Sequence, residues 1–136
     1  MQNAHPTPIL NTSLPPQFRQ IRMELAREPG HPEGDAAVAY VIVAPLDAQG
    51  HIDPVLWRKH REACRVARLR PDSDDGLGHL VHRQGGGWAF HYDATAKTPD
   101  EAGYHFADER FVAGEYVSIN ESGKMHTYRV ASVSRL

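Results

Sequence analysis

The chain has 136 residues, room for one domain and one core. Its apolar share of 40% and formal net charge of −2 give no sign of whole-molecule attraction to nucleic acid or to a membrane surface. No apolar run approaches the ~20 residues of a membrane-crossing helix. Residues 1–17 lack the basic start and apolar stretch of a secretory leader. The lone Cys64 cannot close an internal disulfide, which fits a reducing compartment, the cytoplasm.

Residues 1–17 carry Pro6, Pro8, Pro15 and Pro16 and read as a Pro-rich, flexible N-terminal arm; residues 18–136 read as one β-rich domain. From Phe18 to Arg27 the residues alternate, with Ile21, Met23 and Leu25 on one face and Arg22 and Glu24 on the other, as in a half-buried strand. A Pro- and Gly-rich loop follows at 29–35, then AVAYVIVA over 37–44, a buried strand by its β-branched run. Asp53 as N-cap and Pro54 at the first turn predict an amphipathic helix over 53–66. Leu56, His60, Ala63, Cys64 and Ala67 would share its narrow apolar face. The run Arg65 to Arg70 has a second reading, as strand, ended by Pro71.

GHLVHR (78–83), QGGG (84–87) and WAFHYD (88–93) predict a hairpin with a Gly-rich turn. Residues 94–103 read as a polar loop, and Tyr104 to Phe106 as a short strand. EYVSIN (115–120) and MHTYRVASV (125–133) predict a second hairpin, joined by a type I turn with Gly123 in the left-handed region. The sum is α+β and predominantly β: six to eight strands and one helix. Because edges are costly in so small a protein, the strands are expected to close into a small antiparallel barrel or strongly curled sheet.

The runs GHLVHR…GGGWAFHYD and GEYVSIN…MHTYRVASV resemble those of a family of small uncharacterised bacterial β-rich proteins, a domain of unknown function, from about Arg22 to the C-terminus. The resemblance implies one fold type and a bacterial, cytoplasmic source, and it transfers no catalytic residue.

Nine histidines stand out. Imidazole binds transition metals and titrates near neutrality. If Arg83 pairs with Trp88 in the first hairpin, His82 and His91 become diagonal neighbours on the face opposite Trp88, Phe90 and Tyr92. A slip of one residue moves His82 onto the aromatic face. Candidate ligands are His79, His82, His91, Asp93 and His105, for a divalent transition metal such as zinc. No H-E-x-x-H or Cys-rich zinc spacing occurs, so solvated or hydrogen-bonded histidines are the plainer reading and no cofactor is expected.

Residues 58–70 hold six Lys or Arg against one Glu. Arg58, Lys59, Arg61 and Arg65 are candidates for an anionic ligand or partner, with weak nucleic-acid binding as a further alternative and a solvated helix face as the plain one. Trp88, Phe90, Tyr92 and Tyr128 read as core, or as the lining of a barrel mouth that takes a small ligand. Cys64 reads as buried and inert, Gly85–Gly87 as a hairpin turn, and Asp72, Asp74 and Asp75 as an acidic loop. The functional expectation is a cytoplasmic binding module for a small ligand or protein partner, not an enzyme. The alternative is a metal site on the hairpin histidines.

Overall fold

A computed structural model describes residues 13–72, 76–93 and 98–136. The chain folds as eight antiparallel strands, each hydrogen-bonded to the next, with the last returning to the first to close a barrel. They are β1 (Phe18–Leu25), β2 (Asp35–Pro45), β3 (Arg65–Leu69), β4 (Gly76–His82), β5 (Trp88–Tyr92), β6 (Glu101–Tyr104), β7 (Tyr116–Glu121) and β8 (Lys124–Arg135). Closure gives every one of these strands a neighbour on both sides. It is completed by β1 against β8, where the register shifts between Arg22 and Met23, a bulge that bends the long last strand round the seam.

Alternation sends Ile21, Met23, Tyr40, Ile42, Val66, Leu80, Phe90, Val117, Ile119, Tyr128 and Val130 inward, all buried. Tyr116 points outward and is exposed, because the inward phase of β7 belongs to Val117 and Ile119.

The single α-helix among the described residues, α1 (Pro54–Lys59), is much shorter than the sequence predicts. Its start is as expected: Asp53 Oδ1 accepts from Val55 N at 2.9 Å and Leu56 N at 3.1 Å. It stops at His60, a 3₁₀ turn spans Arg61–Ala63, and the chain is already strand at Arg65. Pairing of β3 with both β2 and β4 satisfies its backbone and buries Val66, a gain that the helical period could not provide. The helical face that would join Leu56 to Ala67 therefore does not exist.

Helix α1 and the segment after β6 close one end of the barrel. Trp57 Nε1 donates to Leu80 O at 2.9 Å, and its ring stands edge-on to Trp88 at 5.4 Å. Phe106 folds back over Gly103, where even a Cβ would lie 2.4 Å from its ring, and Phe111 packs on Phe106 at 5.1 Å. At the foot of the arm, Leu14 packs on the core and Pro15 O accepts from Phe18 N at 3.1 Å; residues 1–12 lie outside the described residues. The β7–β8 turn is Ser122–Gly123 with φ of 55° and 86°. Two positive φ values make it a mirror-image two-residue turn, not type I, because that twist matches the flanking strands.

Candidate functional site

The other end of the barrel is polar inside. Val66, Arg68 and Arg70 alternate along β3 and just past it, so the two arginines follow Val66 into the barrel. Facing them are Tyr40 of β2, Tyr92 of β5, Glu101 of β6, Glu121 of β7 and Tyr128 of β8. Glu101 is 2% exposed, the one buried charged residue among the described ones. Its Oε1 accepts from Tyr92 at 2.5 Å and Tyr40 at 2.7 Å, and its Oε2 accepts from Arg68 Nε at 3.0 Å. Glu121 lies nearer the mouth. Its Oε2 accepts from Tyr128 at 2.5 Å, and its Oε1 accepts from Arg70 Nη2 at 3.1 Å. Tyr40 Oη stands between the two carboxylates, 2.7 Å from Glu101 and 3.0 Å from Glu121, with one proton to give. Arg70 Nη2 also donates to Tyr128 Oη at 3.0 Å and Tyr40 Oη at 3.3 Å.

Two carboxylates and two guanidiniums cancel in charge, and three hydroxyls satisfy what the ion pairs leave over. The environment moves their titrations. Burial, then the neighbouring glutamates, pushes the Tyr40 hydroxyl far above the usual tyrosine range. Burial and Glu101 do the same to Tyr92, and burial and the bond to Glu121 raise Tyr128. Burial works against the charge on Arg68, yet Glu101 and Tyr40 together more than offset it, and the guanidinium is held above its ordinary value. Arg70 is raised likewise, with Tyr128, Tyr40 and Glu121 outweighing burial.

The cluster is not sealed. The side chains of Arg70, Glu121 and Arg68 are 12%, 13% and 18% accessible. The Arg68 guanidinium donates through Nε to Glu101, its Nη2 forms a second ion pair with Glu121 Oε1 at 3.8 Å, and it also interacts with the Tyr40 hydroxyl. A guanidinium has five N–H donors, more than these three partners take up.

The predicted site residues are dispersed. Trp88, Phe90, Tyr92 and Tyr128 are all core, and of these only Tyr92 and Tyr128 bring a polar atom to the cluster. The hairpin register is one residue away from the expected one: His82 pairs with Trp88 and His79 with His91. His82 therefore joins the aromatic face, stacked on Trp88 at 4.0 Å, while His91 turns outward to Asp100. The register follows from the turn, where Arg83 and Gly87 are bonded and residues 84–86 form the loop. His105 lies past the far end of β6, stacked on Tyr104 at 4.0 Å. Asp93 follows β5 and is exposed. Among the described residues no three of His, Cys, Asp or Glu converge as ligands for a metal.

Arg58, Lys59, Arg61 and Arg65 are exposed but do not form one helical face: they fall on the helix end, the 3₁₀ turn and the first residue of β3. Arg61 lies over the Trp57 ring at 5.2 Å. The Cys64 thiol is fully buried and donates to His60 O at 3.4 Å; burial pushes it up to about 12, so it is no thiolate near neutrality. Asp74 and Asp75 lie outside the described residues.

Arg68, Arg70, Glu101 and Glu121 were missed by sequence reasoning. Glu101 sits in what reads as a polar loop, Glu121 in a turn, and the arginines in the run Arg65 to Arg70, read among the basic residues 58–70 and given a strand as its second reading. One signal was available: as a strand, Val66-x-Arg68-x-Arg70 aligns a buried residue and two cations on one side.

Compared with protein-family models, with curated proteins and with solved structures, the chain matches none. No helix among the described residues is long and apolar enough to cross a membrane.

Proposed function

We propose that the protein is a binding module that takes one small polar ligand at the charged end of the barrel. Eight-stranded barrels have interiors filled by side chains or just wide enough for one small ligand. Here the aromatic end is filled, and the polar end presents Arg68, Arg70 and Glu121 to the outside. The observation that carries the reading is Arg68, a partly accessible guanidinium with more donors than its partners use, in a hydrogen-bonded network. Filling a barrel needs no charge; apolar side chains would do it without the desolvation cost of two ion pairs. A network held this firmly positions donors in advance, which reduces the ordering cost of binding.

The spare donors favour a ligand with a single negative charge, since the two glutamates repel a second one. The resemblance to small bacterial proteins and the lone, buried Cys64 support action in a reducing cytoplasm. The test is an NMR-detected screen of benzoate, benzamide and benzylamine against the full chain, repeated on Arg68→Met. Benzoate should shift the signals of Tyr40, Tyr92 and Tyr128 and lose at least about tenfold in affinity in the variant, as for a hydrogen bond to a charged group. If none of the three probes reaches these tyrosines, the reading fails.

A further inference from the structure

The outer face of the first hairpin carries a second arrangement, independent of the barrel interior. Register places His79 of β4 directly opposite His91 of β5, and Arg65 of β3 directly opposite His79 on its other side. Asp100 comes just before β6, and its Oδ1 is 2.8 Å from His91 Nδ1. Four outward residues thus form one row across the sheet: Arg65, His79, His91, Asp100. Arg83 also bonds to Asp100 and holds that carboxylate in place.

Asp100 fixes which nitrogen of His91 is free. A carboxylate accepts, so Nδ1 carries the proton and Nε2 keeps the lone pair of the neutral ring. A carboxylate on the remote nitrogen of a histidine is the usual support of a metal-ligating imidazole. The His91 side chain is 64% accessible, and His79 is half-buried at the edge of a groove lined by Trp57, Arg61 and Glu62. Directly opposed residues have Cβ atoms about 4.5–5.5 Å apart. Two imidazoles on such a pair can reach one ion between them at the ~2.0–2.1 Å of a metal–nitrogen bond.

We propose that His79 and His91 form a two-imidazole clamp for a divalent ion of the late first row, Ni²⁺, Cu²⁺ or Zn²⁺, with Asp100 positioning His91. The clamp offers two protein ligands, so water would complete the coordination and the site would be open and exchangeable. Imidazole pairs bind these ions in the order Cu²⁺ above Ni²⁺ and Zn²⁺. Arg65 beside His79 and Arg83 on Asp100 both place positive charge near the ion and lower the site's affinity.

Calorimetric titration of the full chain with Ni²⁺ tests the clamp, with thermal melts in EDTA to confirm that each variant folds. His79→Gln and His91→Gln are both surface changes; each should reduce affinity at least about tenfold and leave the EDTA melt unchanged. Asp100→Asn should weaken binding by about tenfold, the scale of a lost supporting carboxylate. Arg65→Gln should tighten it severalfold. Failure to bind Ni²⁺, Cu²⁺ or Zn²⁺ at millimolar concentration would overturn the proposal. Binding that survives either histidine substitution would do so too, because the clamp needs both rings.

Discussion

Tyr40 and Glu101 lie 61 positions apart in the chain and meet at 2.7 Å inside the barrel. Tyr40 also stands 3.0 Å from Glu121, so one phenolic proton links two carboxylates that hold separate arginines. The cluster is thereby one unit, and removing any member strands the others.

Arg68→Met leaves the Glu101 carboxylate buried with only its two tyrosine donors. It should cost about 3 kcal/mol, in the range for breaking a buried pair. Glu101→Gln should cost somewhat less, because Arg68 is partly accessible and can turn to water. The double variant should lose less than the sum of the two, with a coupling of about 1–3 kcal/mol by chemical denaturation. Additive losses would show that the two residues do not act on each other.

Alkali should unfold the protein steeply. The hydroxyls of Tyr40, Tyr92 and Tyr128 are all raised in the fold above their unfolded value near 10. Below pH ~10 both states hold the three protons and stability does not depend on them. Above it the unfolded chain releases them while the fold retains them, so stability falls by up to about 1.4 kcal/mol per pH unit for each tyrosine. Urea midpoints measured from pH 9 to 11.5 check this, and Tyr128→Phe should lower the slope by about one third. A flat profile would mean that the hydroxyls are not held neutral.

Cys64 should resist iodoacetamide at pH 8 in the folded protein and react fully in denaturant. Its burial, and a thiol pushed up to about 12, deny the reagent both access and thiolate. Rapid native labelling would contradict the packing of the 3₁₀ turn against β4.

Gly103→Ala should destabilise by about 1–3 kcal/mol, the usual cost of overpacking. The added carbon would lie 2.4 Å from the Phe106 ring, which plugs the aromatic end. Combining it with Phe106→Leu should cost less than the sum, which denaturation midpoints would show. Full additivity would argue that Phe106 does not fold back onto this strand.

The strands were largely legible in the sequence, because a strand's period is set by which residues must avoid water. Ile21-x-Met23-x-Leu25 and the aromatic run Trp88-x-Phe90-x-Tyr92 both show it. The charged site was not. Arg68 and Arg70 look like surface cations, since a cation is normally solvated unless a distant carboxylate meets it. Glu101 and Glu121 reach them from β6 and β7 only after the barrel closes.

The sequence by itself determined a β-rich domain, its two hairpins, the N-cap at Asp53 and an inert Cys64. Tertiary structure decided where the helix ends, the hairpin register that set His79 against His91 and turned His82 inward, and the pairing of four charges at one end of the barrel. Local pattern records a residue's preference for water or backbone geometry. Register and charge pairing depend on free energies shared between segments far apart in the chain, which exist only once those segments are in contact.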